Sequence, residues 1–176
     1  MSPVSTLERL RTLVAAEGEP LAAGLLDRAL PGAEPVIGAI AAAGPRASAD
    51  PGEYELLIEA IYEGYLLHYG VSRLFSGSDA DLSLLAGDRL YTLGLERLVA
   101  LGDLEAVREL ADVIAICALL VGRGELASCE PLWRAGAHAV GWGAAERYRT
   151  AKALARAGDA QTHAVLLALD QPPAVA

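Results

Sequence analysis

Three glutamates, Glu55, Glu59 and Glu63, recur every four residues in an apolar stretch, and His68, Tyr69 and Asp88 follow them. Carboxylates at i and i+4 share one helix face, which is how ferritin-like bundles begin to assemble a di-metal site. That site also requires Glu-x-x-His pairs, and His68 stands five residues beyond Glu63. The stripe is therefore expected to face water, where repulsion between like charges one turn apart costs little. His68, Tyr69 and Asp88 are left as a candidate polar site, the place an unfamiliar active centre would occupy. His68, His138 and His163 share no metal-ligand spacing and are expected to be packed or surface side chains. P-loop, dinucleotide and Gly-x-Ser-x-Gly patterns are missing. No catalytic residue, metal ligand or cofactor site is assigned.

Asp88 lies on the helical stripe Leu84, Gly87, Asp88, Tyr91, Leu95, Leu98, which is otherwise apolar. A carboxylate on a buried stripe must be hydrogen-bonded or paired with a cation. Two readings stand. One is a structural aspartate, bonded to a tyrosine hydroxyl (Tyr62 or Tyr65 as donor) or paired with an arginine; the other is a contact to a ligand. Cys117 and Cys129 lack a CxxC spacing and read as small buried hydrophobes without a disulfide.

Helical signals position these groups, and strand signals are nearly absent. Ser5-Thr6-Leu7-Glu8 is a capping box that opens a helix ending near Glu17. Pro20 suits the first turn of a second helix, which ends before Pro31. A short apolar segment, 35–43, precedes a loop at 44–48. Asp50-Pro51-Gly52-Glu53 then starts a long helix with Tyr54, Ile58, Ile61, Tyr65 and Tyr69 on its apolar face, weakened at Gly70. Ser78 or Asp79 caps the next, 80–100, and Gly102-Asp103 ends it and caps another, 104–121. The core stripe of that helix is Leu104, Val107, Leu110, Ile114, Cys117 or Ala118, and Val121. Val113, Ile116, Leu119 and Leu120 make it apolar almost all round, which predicts a helix central in the bundle or packed on both sides. After the connector Gly122-Arg123-Gly124-Glu125, a helix from Ser128 carries Ala135, Ala139 and Gly143 on a face that would admit a close neighbour. Helices over 144–157 and on to Leu169 follow, divided by Gly158-Asp159, with a Gln171-Pro172-Pro173 tail. Gly64, Gly70, Gly87 and Gly94 suit close helix contact better than phosphate binding. The expectation is one all-α domain, 1–176, a bundle of about eight helices.

Hydrophobic residues make up 53% of the 176-residue chain, more than a small globule readily hides, so a partner surface is expected. The net charge is −9 and Lys152 is the one lysine, which argues against a nucleic-acid partner. The longest uncharged stretch of the helical body, 113–122, falls short of the roughly 20 residues a membrane span needs. No signal-peptide layout is evident, and a cytoplasmic location is expected.

The segment 54–126 resembles the middle of the trans-polyprenyl synthetases, the all-α isoprenoid synthases. Leu66-Leu67-His68 is similar to the approach to that family's aspartate-rich motif. Leu85-Ala86-Gly87-Asp88-Arg89-Leu90 is similar to the start of its next helix, and Gly124-Glu125-Leu126 to a later Gly-Gln or Gly-Glu segment. Departures are as informative. Tyr69 and Gly70 stand where the family's paired aspartates would share magnesium with a diphosphate, and neither supplies a suitable oxygen. A second aspartate-rich motif is missing, with only Asp159 and Asp170 late in the chain, and the basic residues that would grip diphosphates are reduced to one lysine and scattered arginines.

This pattern resembles the small non-catalytic subunit of two-component long-chain prenyl diphosphate synthases. The resemblance implies part of the isoprenoid synthase fold, no catalysis by the chain alone, and a catalytic prenyltransferase subunit whose product length it influences. The implied hetero-oligomer interface is formed by Leu84, Tyr91, Leu95, Leu98, Leu104, Val107, Leu110 and Ile114, with a homodimer through the same face as the other arrangement. The alternative is a helical protein–protein interaction module without isoprenoid chemistry. A helix–Gly-Asp–helix echo at Gly102-Asp103 and Gly158-Asp159 is compatible with that, although no regular repeat of about 34 residues accompanies it.

Overall fold

The computed structural model describes residues 4–169; Asp170 and the Gln171-Pro172-Pro173 tail lie outside them. Among the described residues the chain is all-α, with nine α-helices and no strand. They are α1 (Thr6–Ala15), α2 (Leu21–Gly24), α3 (Val36–Ala42), α4 (Pro51–Tyr69), α5 (Ala80–Ala100), α6 (Leu104–Gly122), α7 (Cys129–Trp142), α8 (Glu146–Ala157) and α9 (Thr162–Leu169). Single 3₁₀ turns at Pro45–Ala47 and Leu126–Ser128 join neighbouring helices.

Local capping starts the long helices. Ser5, Asp50, Asp79 and Asp103 each accept the amide N–H three residues on, satisfying a donor that the helix itself leaves open. Glu8 does not close the first capping box: its carboxylate takes Arg11 Nε and the Ala29 amide, each at 2.8 Å. The second helix expected from Pro20 onward is a single turn. Beyond Gly24 the chain is extended and bonds to residues far along it, with Leu26 N–H donating to Leu74 O and Ser76 N–H to Gly24 O. A Leu25–Phe75 bridge marks the same pairing. Here a long-range backbone partner overrides local helix propensity.

The helix at the centre is α4, not α6. One side of α4 buries Leu57, Ile58, Ile61 and Tyr65 among residues of α6, α7 and α8. Its other side buries Leu56 and Ala60 among Leu7, Leu10 and Val14 of α1, Leu74, Phe75, and Leu90 and Leu93 of α5. By contrast α6 keeps Leu104 and Leu119 exposed, so it lies at the surface of the bundle.

Glycine lets α4 and α5 cross closely. A Cβ at Gly94 would stand 2.3 Å from Ile61 Cγ1, one at Gly64 would meet Gly87 O at 2.9 Å, and one at Gly87 would meet His68 Nε2 at 2.7 Å. On α7 the close approaches fall at Gly136 and Gly141 rather than at Gly143, around which a Cβ would find open space. Gly141 abuts Ala41 and Gly44, which locks α7 across the end of α3.

At the α5–α6 turn the Asp103 carboxylate accepts from the Ala106 amide (3.0 Å), the Tyr54 hydroxyl (2.7 Å) and Arg46 Nη2 (3.2 Å). Burial alone would raise this carboxyl, but those partners hold it below its ordinary value. The Tyr54 phenol is pushed up to about 12 by burial and by Asp103.

Two predictions follow from this packing. Gly94→Ala should lower stability by about 1–3 kcal/mol through overpacking, whereas Gly122→Ala, where a Cβ meets nothing, should be neutral or gain up to about 1 kcal/mol; urea unfolding measures both. Because the folded state depresses the Asp103 pKa, its contribution is present above the usual value near about 4 and is lost as pH falls through the folded value. The stability gap between wild type and Asp103→Asn should therefore be widest near neutrality and close in acid.

Candidate functional site

The glutamate stripe does not face water. Glu59 and Glu63 are wholly buried, and each carboxylate is occupied. Glu59 accepts the Gly38 amide of α3 (2.6 Å) and lies 2.7 Å from Arg73 Nη1. Glu63 accepts the Ser72 hydroxyl (2.6 Å), the Arg73 amide (2.7 Å), Arg73 Nε (2.8 Å) and the Leu74 amide (3.2 Å). Glu55, half-buried, accepts the Thr6 hydroxyl of α1 at 2.6 Å. Burial pushes the Glu59 carboxyl above its usual range, against the pull of Arg73 and the Gly38 amide. Burial also works against the Arg73 charge, but Glu59 and Glu63 outweigh it and hold the guanidinium above its ordinary pKa. Arg73 further rests over the Tyr62 ring, 5.2 Å from its centroid. Arg73 and Ser72 are the residues that helical periodicity alone misses, because they lie past the end of the helix they neutralise. The one local signal was a Ser-Arg pair directly after a glycine-terminated helix carrying carboxylates.

The candidate polar site divides. Asp88 is not on the buried line of α5: it is 75% exposed in its side chain, and neither Tyr62 nor Tyr65 bonds to it. Its partner is His68, whose Nε2 lies 3.1 Å from Asp88 Oδ1, within ion-pair distance but without hydrogen-bond alignment. The His68 ring stacks on Tyr91, with centroids 5.3 Å apart and planes 7° from parallel. Tyr69 lies between two groups: its ring is 5.7 Å from that of His68 and 5.8 Å from that of Tyr65, at the edge of the aromatic cluster in which Tyr62 and Tyr65 meet Trp133 of α7. The imidazole nitrogen is buried and only the carboxylate is exposed, an arrangement that can orient a ring. His68 is the residue that meets both others, Asp88 on its solvent side and the half-buried Tyr69 beside it.

The interface candidates also separate. Leu98 and Leu110 are wholly internal and have no surface to offer. Leu84 and Leu104 are 49% and 53% exposed, while Tyr91, Leu95, Val107 and Ile114 are half-buried at the edge of the main core. On α6, Leu104, Val107, Ala111, Ile114, Ala118 and Val121 form a stripe spaced 3-4-3-4-3, each exposed or half-buried and none charged. The flank of α6 across the core from it is taken: Lys152 of α8 reaches Glu109 and Asp112, Arg156 reaches Asp112, and the Tyr148 hydroxyl donates to Glu109 at 2.8 Å.

Cys117 and Cys129 are buried free thiols, and burial pushes the Cys117 thiol up. Among the described residues no group of three or more His, Cys, Asp or Glu side chains is placed to hold a metal ion. Among the same residues, no helix is long and apolar enough to cross a membrane.

Removing Arg73 would strand two buried carboxylates. Arg73→Ala should cost about 3–5 kcal/mol, while Asp88→Ala, which removes an exposed carboxylate without an aligned hydrogen bond to His68, should cost at most about 1 kcal/mol. Chemical denaturation of the two variants tests this, and near-equal losses would contradict the burial described.

Compared with protein-family models, with curated proteins and with solved structures, the chain matches none.

Proposed function

We propose that the chain is a non-catalytic helical subunit that associates with a catalytic long-chain prenyl diphosphate synthase and influences the length of its product. The observation that carries this reading is the uncharged stripe of α6, along which Leu104, Ala111 and Ala118 are exposed. A helix of 19 residues makes the stripe about 28 Å long. The end of α4 supports the other half of the reading. Magnesium–diphosphate chemistry needs free carboxylates, and Glu59 and Glu63 are committed to Arg73, Ser72 and backbone amides.

The test is co-expression with a long-chain prenyl diphosphate synthase from the same organism. The expected result is a stable complex whose products are longer than those of the synthase alone. Ala111→Arg and Ala118→Arg, both at exposed positions, should keep the helical circular dichroism spectrum and weaken the complex at least about tenfold. A chain that stays monomeric beside the synthase, or a complex with unchanged products, overturns the assignment. Self-association through the stripe without capture of the synthase points to the interaction-module reading instead.

A further inference from the structure

A cleft of about 480 Å³ opens at the end of the bundle where α4 stops and the chain returns to α5. Its apolar wall is Leu66, Leu67, Val71, Phe75 and Leu84. That size falls within the range of about 300–1,000 Å³ typical of small-molecule sites. The wall is held in place before any ligand arrives. Glu63 fixes Ser72, Arg73 and Leu74, the Ser72 hydroxyl accepts the Leu74 and Phe75 amides, and Ser76 N–H donates to Gly24 O. A preorganised wall spends little ordering entropy on binding.

The polarity of the cleft selects its occupant. Charged residues make up 21% of the chain, yet no Asp, Glu, Lys or Arg lines it. The nearest guanidinium, Arg73, is turned away into Glu59 and Glu63. Asp79 caps α5 beside it, and Asp88 pairs with the His68 that lines it. An anionic head group would find no Lys or Arg in the lining, only His68, whose Nε2 already lies beside Asp88. Ser83 Oγ donates to Asp79 O at 2.8 Å, which leaves its lone pairs to accept from a ligand. At the mouth Val71 stands 78% exposed, an apolar side chain held in water.

We infer that this cleft binds a neutral hydrocarbon chain ending in a hydroxyl, with the hydrocarbon on Leu66, Leu67, Phe75 and Leu84 and the hydroxyl donating to Ser83. The assignment does not depend on the partner proposed for α6. It is tested by titrating the ¹⁵N-labelled full chain with decan-1-ol and with decanoate at pH 8 and following amide shifts. Decan-1-ol should saturate with shifts confined to 66–84 and bind at least about tenfold more tightly than decanoate, since burying a carboxylate against an apolar wall without Lys or Arg is penalised. Val71→Asp, at an exposed site that should not disturb folding, should weaken decan-1-ol at least about tenfold, and Ser83→Phe should fill the cleft and abolish the shifts. Equal binding of the alcohol and the carboxylate overturns the inference. So do shifts centred on the α6 stripe, unchanged affinity in Val71→Asp, or no saturation up to the solubility limit.

Discussion

Everything around α4 depends on the buried ion pairs of Glu59 and Glu63 with Arg73. Burying two carboxylates and a guanidinium is unfavourable unless geometry and additional hydrogen bonds compensate. Backbone amides supply part of this, at least one to each glutamate, while Glu59 Oε2 meets Arg73 as an ion pair without hydrogen-bond alignment. The glutamate row, spaced by four, acts as a clamp with three grips. Glu55 takes α1 through Thr6, Glu59 takes α3 through Gly38, and Glu63 takes the segment after α4 through Ser72, Arg73 and Leu74. Apolar contact would hold these elements near α4 but would let them slide. Directional bonds to fixed oxygens set their register. The same clamp shapes the cleft at the end of α4, because the loop that roofs it is the loop Glu63 holds.

Helix starts were legible because the signal is local. A Ser or Asp whose side chain meets the amide three residues later works within a single turn, and Ser5, Asp50, Asp79 and Asp103 all do so. What escaped was whatever another part of the chain decides. A glutamate row reads as a wet face until Arg73, ten residues past Glu63, turns back over it. The segment after Pro20 reads as helix until Leu74 and Ser76 offer it a backbone pairing. Asp88 was placed on the buried side because it lies in an apolar heptad-like row. The crossing with α4 is set instead by Gly87 and Gly94, with Ala86, Leu90 and Leu93 beside them, which rotates Asp88 out. Of the candidate site, the pairing of His68 with the Asp88 region was within reach of the sequence. The place of Tyr69 between His68 and Tyr65 was not.

The high apolar content has a structural address. Ala106, Leu110, Val113, Cys117 and Leu120 of α6 form the stripe that enters the core. Leu104, Val107, Ala111, Ile114, Ala118 and Val121 form a second stripe on the core's flank, and the opposite flank is closed by the Lys152 and Arg156 contacts to α8. One helix therefore carries two apolar stripes: the fold buries the first and half-buries Val107, Ile114 and Val121 of the second. This is why periodicity read α6 as central or packed on both sides: an all-round apolar helix is either enclosed by its own chain or covered by another surface. Enclosure belongs to α4, whose two sides meet two different apolar clusters.

The phrase Leu85-Ala86-Gly87-Asp88 takes on a physical meaning apart from any catalytic one. Gly87 is the point where the α4 backbone and the His68 ring come within contact distance of α5, and any side chain there would strike both. Asp88, next to it, stands at the edge of the crossing and holds the imidazole from the solvent side. A glycine followed by an acid at this place is thus what a tight helix crossing beside a histidine demands, whether or not chemistry happens nearby. Weight therefore shifts from that phrase to the turn before it. Tyr69 and Gly70 end α4 without a carboxylate, and the carboxylates about two and three turns earlier are committed to the fold. The two glutamates that might have met a metal ion are the two that the architecture cannot release.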